Sequence, residues 1–216
     1  MLDYTVTSNH IHLLIKDSGP NVIAESMQLI AGRTGQEYNQ RKRRHGAFWE
    51  DRYHATAIDA DEHLHRCLVY IDLNMVRAGV VVHPAQWAHS GYREIQNPPK
   101  RNGVIDLRQL SGLCGFSEVA NFQQAHRDWV EEALRHETAR ESRWSEAIAV
   151  GSLSFVEEAK NGLGFKAAHR EAIEVDGTYA LGEQREAYGS DFAGESEALS
   201  SENTRFWDQN SEVSVA

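Results

Sequence analysis

YTVTSNHIHLLI, residues 4–15, alternates polar and apolar side chains on both sides of Ser8-Asn9. Alternation with period two marks a β-strand with one buried face, and Ser-Asn between two such runs marks a turn. The stretch is therefore expected to fold as a hairpin, with the histidines opening its second strand. Residues two apart on a strand project from the same face, so His10 and His12 point together while Ile11 points away. Two neutral imidazoles on one face can share a cation, whereas two protonated rings would repel. On so short a motif the plainer alternative stays open, with His10 closing a turn and His12 an ordinary strand residue.

Downstream, NVIAESMQLIAGRTGQEYNQRKRR spaces Val22, Ile23, Met27, Ile30, Ala31 and Tyr38 at roughly helical intervals, with Asn21 as the expected cap after Pro20. FWEDRYHATAID alternates again and reads as a strand. DADEHLHRCLVYIDLNMVRAG repeats Leu64, Leu68, Ile71 and Val76, an amphipathic helix expected to stop at Gly79. Tyr70 and Asn74 stand four apart on that helix, so a phenol and a carboxamide share one face about a turn apart. The alternative for this pair is a tyrosine packing by its ring and an asparagine bonding the backbone near a helix end.

The net charge of −10 conceals two unlike halves. Residues 1–101 hold 12 Lys+Arg against 11 Asp+Glu, and residues 102–216 hold 10 against 21. In the first half the cations gather in RTGQEYNQRKRRHGAFWEDRYH, where Arg33, Arg41, Lys42, Arg43, Arg44 and Arg52 lie among Tyr38, Phe48, Trp49 and Tyr53. Arginines interleaved with aromatics suit a polyanion whose bases can stack, and a solvated helix end is the competing reading. No stretch is long and apolar enough for a membrane span, and the first residues lack a signal-peptide layout, so a cytoplasmic location is expected. Two cysteines, Cys67 and Cys114, make no disulfide framework. A zinc site at His63, His65 and Cys67 is set aside, because only His63 and Cys67 share a helical face.

The second half reads as two or three helices through IDLRQLSGLCGFSEVANFQQAHRDWVEEALRHETARESRW, the first of which could open a small helix-turn-helix-like unit. From Asp176 onward nine Asp+Glu stand against two Arg, which predicts a disordered acidic tail. The expected division is a domain of strands and helices over 1–99, a helical accessory region over 100–170 and a tail over 171–216.

The order SNHIHLLI, then an amphipathic helix ending in a basic run, then GAFWEDRYHATAI, CLVYIDLNMVRAGVV and WAHSGYREI, resembles the REP-associated tyrosine transposases, a branch of the single-tyrosine HUH transposases in the IS200-like superfamily. The likeness runs from residue 4 to about 97 and more weakly to about 165. It implies an α+β fold, a ferredoxin-like or RRM-like antiparallel sheet with helices, followed by a helical extension. It also implies an enzyme that cuts and rejoins single-stranded or hairpin DNA through a 5′-phosphotyrosine. By position Tyr70 is the implied nucleophile, with His10, His12 and Asn74 as ligands of Mg²⁺ or Mn²⁺. Ser8 and Met75 stand where the family commonly has proline. The family fold opens with a strand and helix ahead of the hairpin, the strand central in the sheet, so a start upstream of Met1 is expected. A catalytically inactive DNA-binding remnant is the nearest rival reading, a metalloprotein that does not bind nucleic acid a remoter one, and the assembly, monomer or homodimer, is left open.

Overall fold

In chain order the elements are β1 (Asp3–Val6), β2 (Ile11–Leu14), α1 (Val22–Lys42), β3 (Ala57–Ile58), α2 (Glu62–Asp72), α3 (Asn74–Arg77), α4 (Gly91–Gln96), α5 (Leu107–Leu113), α6 (Val119–Arg135), α7 (Arg143–Glu146), β4 (Ala149–Gly151), α8 (Leu153–Leu163), β5 (Arg170–Val175) and β6 (Thr178–Glu183). They come from a computed structural model that describes residues 1–60, 62–136 and 141–183. The fold is α+β. Its strands form two sheets: a β1-β2 hairpin, and a four-stranded sheet in the order β3-β4-β6-β5, antiparallel apart from the parallel β3-β4 pair. Among the described residues no helix is long and apolar enough to cross a membrane.

The hairpin forms with Thr5 opposite His12 and Val6 opposite Ile11, but its second strand begins at Ile11, so His10 belongs to the turn and only His12 to the strand. Its turn is closed by Thr7, whose amide reaches the His10 carbonyl at 2.9 Å and whose Oγ1 accepts the His10 amide at 3.0 Å. Helix α1 also falls where expected, but Asn21 is left-handed (φ 64) and its side chain makes no cap bond. The strand expected over FWEDRYHATAID contracts to Ala57–Ile58, which pairs with β4 through Ala57 N–H to Ile148 O (2.7 Å) and Asp59 N–H to Val150 O (3.0 Å). The polar run Glu50-Asp51-Arg52 ahead of it pairs with no strand among the described residues.

Helix α2 buries Leu64, Cys67, Leu68 and Ile71 and packs across β1, β2 and β3. It does not run on to Gly79: it ends at Asp72, Leu73 turns with ψ 4, and Asn74 opens α3. Gly79, at φ 69, then ends the helical stretch.

The main core joins Leu2 and Leu14 of the hairpin region, Leu68 and Ile71 of α2, Ile95, Phe122, Trp144, Val150 and Ala180. It therefore draws on every part of the chain that the sequence divided at residues 99 and 170, and Met1–Glu183 is one compact unit. The leucines of DLRQLSGLCGFS build α5, capped by Asp106 on the Gln109 amide at 3.0 Å, and Leu110 is fully buried. Where the acidic tail was expected to begin, residues 170–183 instead make a β-hairpin turning on Asp176-Gly177, both left-handed (φ 53 and 71). The remainder of that expected tail lies outside the described residues.

Candidate functional site

The hairpin sets the two histidines side by side, ring centroids 5.0 Å apart and nearly perpendicular. His10 Nδ1 lies 2.9 Å from Asn9 Oδ1 and 3.1 Å from Thr7 Oγ1. A carboxamide oxygen only accepts, so Nδ1 carries a proton, and in the neutral form of the ring Nε2 is the nitrogen with the free lone pair. That is the tautomer an outer hydrogen bond imposes on a metal-binding imidazole.

Helix α2 brings Tyr70 to this pair, its ring 6.1 Å from that of His12. Tyr70 is only 6% exposed. The Arg77 guanidinium stacks 4.0 Å over its face and donates to the Tyr70 carbonyl at 2.6 Å, while Trp144 lies 6.3 Å away on another side. Burial lowers the pKa of Arg77, yet a guanidinium keeps its proton at neutral pH, so the phenol ring is held beneath a cation.

His10, His12 and Tyr70 line one cavity of about 1380 Å³, shared with Trp49, Arg52 and the apolar Leu64 and Ile71. Asn74 is half-buried and is not part of that wall, because the break at Leu73 places it on the following helix. Among the described residues no group of three or more His, Cys, Asp and Glu side chains is placed to hold a metal. His10 and His12 suit a divalent ion as two of its ligands.

The basic candidates separate into three places. Arg33 is exposed and pairs with Glu37 at 3.6 Å. Arg41 and Lys42 end α1, and Arg43 and Arg44 follow it into a second, smaller cavity. Arg52 lies on the wall of the large cavity with Trp49. Trp49 is half-buried, donating its indole N–H to Ala31 O at 3.1 Å and meeting Phe48 edge-on at 5.0 Å. Its ring thus fastens the loop to α1.

Behind Tyr70 lies a buried polar cluster. His126 Nε2 donates to Asp72 Oδ2 at 2.7 Å, and Gln96 Nε2 donates to His126 Nδ1 at 2.9 Å. Because Nδ1 accepts, the ring is neutral, in keeping with burial pushing its pKa down to about 3. Burial also raises the pKa of Asp72 and, with the Asp72 charge nearby, that of Asp3. Sequence reasoning did not find this cluster, nor Thr7, Asn9, Arg77 and Trp144. Arg77 had one signal, a cation two helical turns beyond Tyr70. The Asp72–His126 contact joins residues 54 apart and had none.

Residues 1–74 match the family model described as "Transposase IS200 like". No curated protein and no solved structure matches the chain. The matched segment contains the hairpin with both histidines, all of α1 with its basic end, and α2 with Tyr70, and it closes on Asn74. Over residues 1–74 the chain is thus similar to the IS200-like transposases.

Proposed function

We propose that this protein is an IS200-like transposase that cuts and rejoins single-stranded or hairpin DNA, with Tyr70 as nucleophile and His10 and His12 holding a divalent ion. The observation that carries the reading is the meeting of His10, His12 and Tyr70 on the wall of one cavity. The motif order through residue 97 supports the REP-associated branch.

In the cleavage step Tyr70 Oη attacks a phosphorus atom. The Tyr–O–P bond forms, the P–O3′ bond breaks, the phenol gives up its proton and the departing 3′ oxygen takes one. The product is a 5′-phosphotyrosine and a free 3′-hydroxyl. A 3′-hydroxyl from another strand reverses the step and restores a phosphodiester without ATP. Bound Mg²⁺ or Mn²⁺ supplies charge neutralisation and orientation at the scissile phosphate. Arg77, stacked on the Tyr70 ring, holds that ring in place within the site. Asn74 is the third ligand proposed for the ion, and its place off the cavity wall makes it a separate test.

That same placement, with the burial of Tyr70, favours a second reading: a protein that binds DNA and does not cut it. Labelled hairpin and single-stranded DNA incubated with Mg²⁺ or Mn²⁺, then run under denaturing conditions, separate the two. Cleavage leaves a protein–DNA adduct that disappears in Tyr70→Phe, in His10→Ala/His12→Ala and on chelation, while affinity in the histidine variant stays near wild type because cations supply most backbone attraction. An adduct persisting in Tyr70→Phe removes Tyr70 as the nucleophile. Tight binding with no adduct from the wild type selects the second reading.

A further inference from the structure

We infer that a pocket at the C-terminal end of α1 receives a single base of a DNA strand, read by the carboxamides of Gln36 and Gln40, with Arg43 on the attached phosphate. This rests on the DNA reading above and names a recognition site within it.

The pocket has a volume of about 460 Å³, within the usual range for small-ligand sites of roughly 300–1,000 Å³. Its wall is unusual for a bare phosphate site. Besides Arg43 and Arg44 it carries Gln36, Asn39 and Gln40, and each carboxamide offers a donor beside an acceptor, the pairing that matches a base edge. Asn39 is partly spent on the loop, its Nδ2 donating to Gly46 O at 2.9 Å, while its buried Oδ1 has no donor among the described residues. Arg44 is held by Ala47 O at 3.0 Å and lies 5.7 Å from the Tyr38 ring centroid.

Arg43 is different. It sits at φ 51 and ψ 40, in the left-handed region just past the helix where glycine is the usual residue. A side chain there sacrifices stability, and strain held by a non-glycine residue points to function when the side chain serves a purpose. Its guanidinium makes no hydrogen bond or ion pair with any described residue and lines the pocket. From Tyr38 to Trp49 the chain holds no carboxylate, and Glu37 just before it is paired with Arg33 at 3.6 Å.

The test measures affinity of the full chain for short homo-oligonucleotides of each of the four bases and for an abasic strand of equal length. The wild type should prefer one base over the abasic strand by about tenfold or more. Gln36→Ala/Gln40→Ala should bind all five probes alike with an unchanged melting midpoint, since both side chains are exposed. Arg43→Gly should weaken all five alike and melt higher, because glycine relieves the left-handed residue. A wild type that binds all five equally, or a carboxamide variant that keeps the preference, overturns the pocket and leaves the DNA reading standing. Arg43→Gly with undiminished affinity removes Arg43 from the site. Binding to none of the probes overturns the DNA reading itself.

Discussion

Asp3 occupies the first strand with no exposed surface, and neither carboxyl oxygen finds a well-formed hydrogen bond. The fit depends on Gly91: a Cβ there would lie 2.0 Å from Asp3 Oδ1. Burial, and then the charge of Asp72, raises the Asp3 pKa well above 3.8, and the Tyr4 amide offsets this only in part. Below about 3.8 folded and unfolded chains both hold the proton. As pH rises the unfolded chain releases it first, so this contribution to stability is lost until the raised folded value is passed. Asp3→Asn should therefore stabilise the protein near neutral pH by roughly 1–3 kcal/mol and flatten the fall in stability between mildly acidic and neutral pH. Urea melts at several pH values check both, and a slope unchanged in the variant would place the buried proton on another group. Nothing in MLDYTV marks Asp3 as buried, because its setting is made by Asp72 and Gly91, far along the chain. The histidine pair was legible at this scale only in part: His12 lies on β2, whereas His10 closes the turn ahead of it, and the turn's own bonds set its ring beside that of His12.

Helix α1 is held differently from the other long helices: none of its 21 residues is buried, and a tryptophan from the following loop is bonded to its backbone. Its stretch from Val22 to Lys42 was readable from spacing alone, yet its role rests on the cations at its end. If Arg41, Lys42, Arg43 and Arg44 follow a DNA backbone, replacing all four by Gln should lower the salt dependence of single-strand binding by up to about 3, at roughly 0.7 per phosphate contact. The loss should be the same on matched and scrambled sequences, since phosphate contacts position a strand without reading it. Affinity measured across a salt series checks this, and an unchanged slope would make the run a solvated helix end. The β5-β6 hairpin shows the opposite case. Asp176-Gly177 between two alternating runs is a strong local hairpin signal, because both residues accept positive φ. Acidic composition over the whole tail outweighed it, although charge on an exposed edge strand is compatible with pairing. The break between α2 and α3 had no comparable signal, as YIDLNMVR carries neither proline nor glycine.

Across the molecule one core cluster binds Leu2 near the start to Ala180 near the end of the described chain, and β6 lies between β4 and β5. A chain ended before Arg170 would lose Ala180 from the main core and Leu181 from a separate cluster on the other face of the four-stranded sheet. It should be destabilised by more than about 3 kcal/mol, comparable with emptying a large core position, and should melt with reduced cooperativity. Circular dichroism melts of the shortened chain check this; an unchanged midpoint would make the β5-β6 hairpin an appendage. The sequence by itself determined the hairpin and the helices α1 and α2, because strand and helix periods are set by backbone geometry within a few residues. The tertiary structure alone decided that Tyr70 meets His12, that Arg77 covers its ring, that Asn74 lies off the cavity wall, and that Asp3, Asp72 and His126 are buried behind them. Those contacts join distant segments whose approach depends on how whole elements pack, and no local period carries that information.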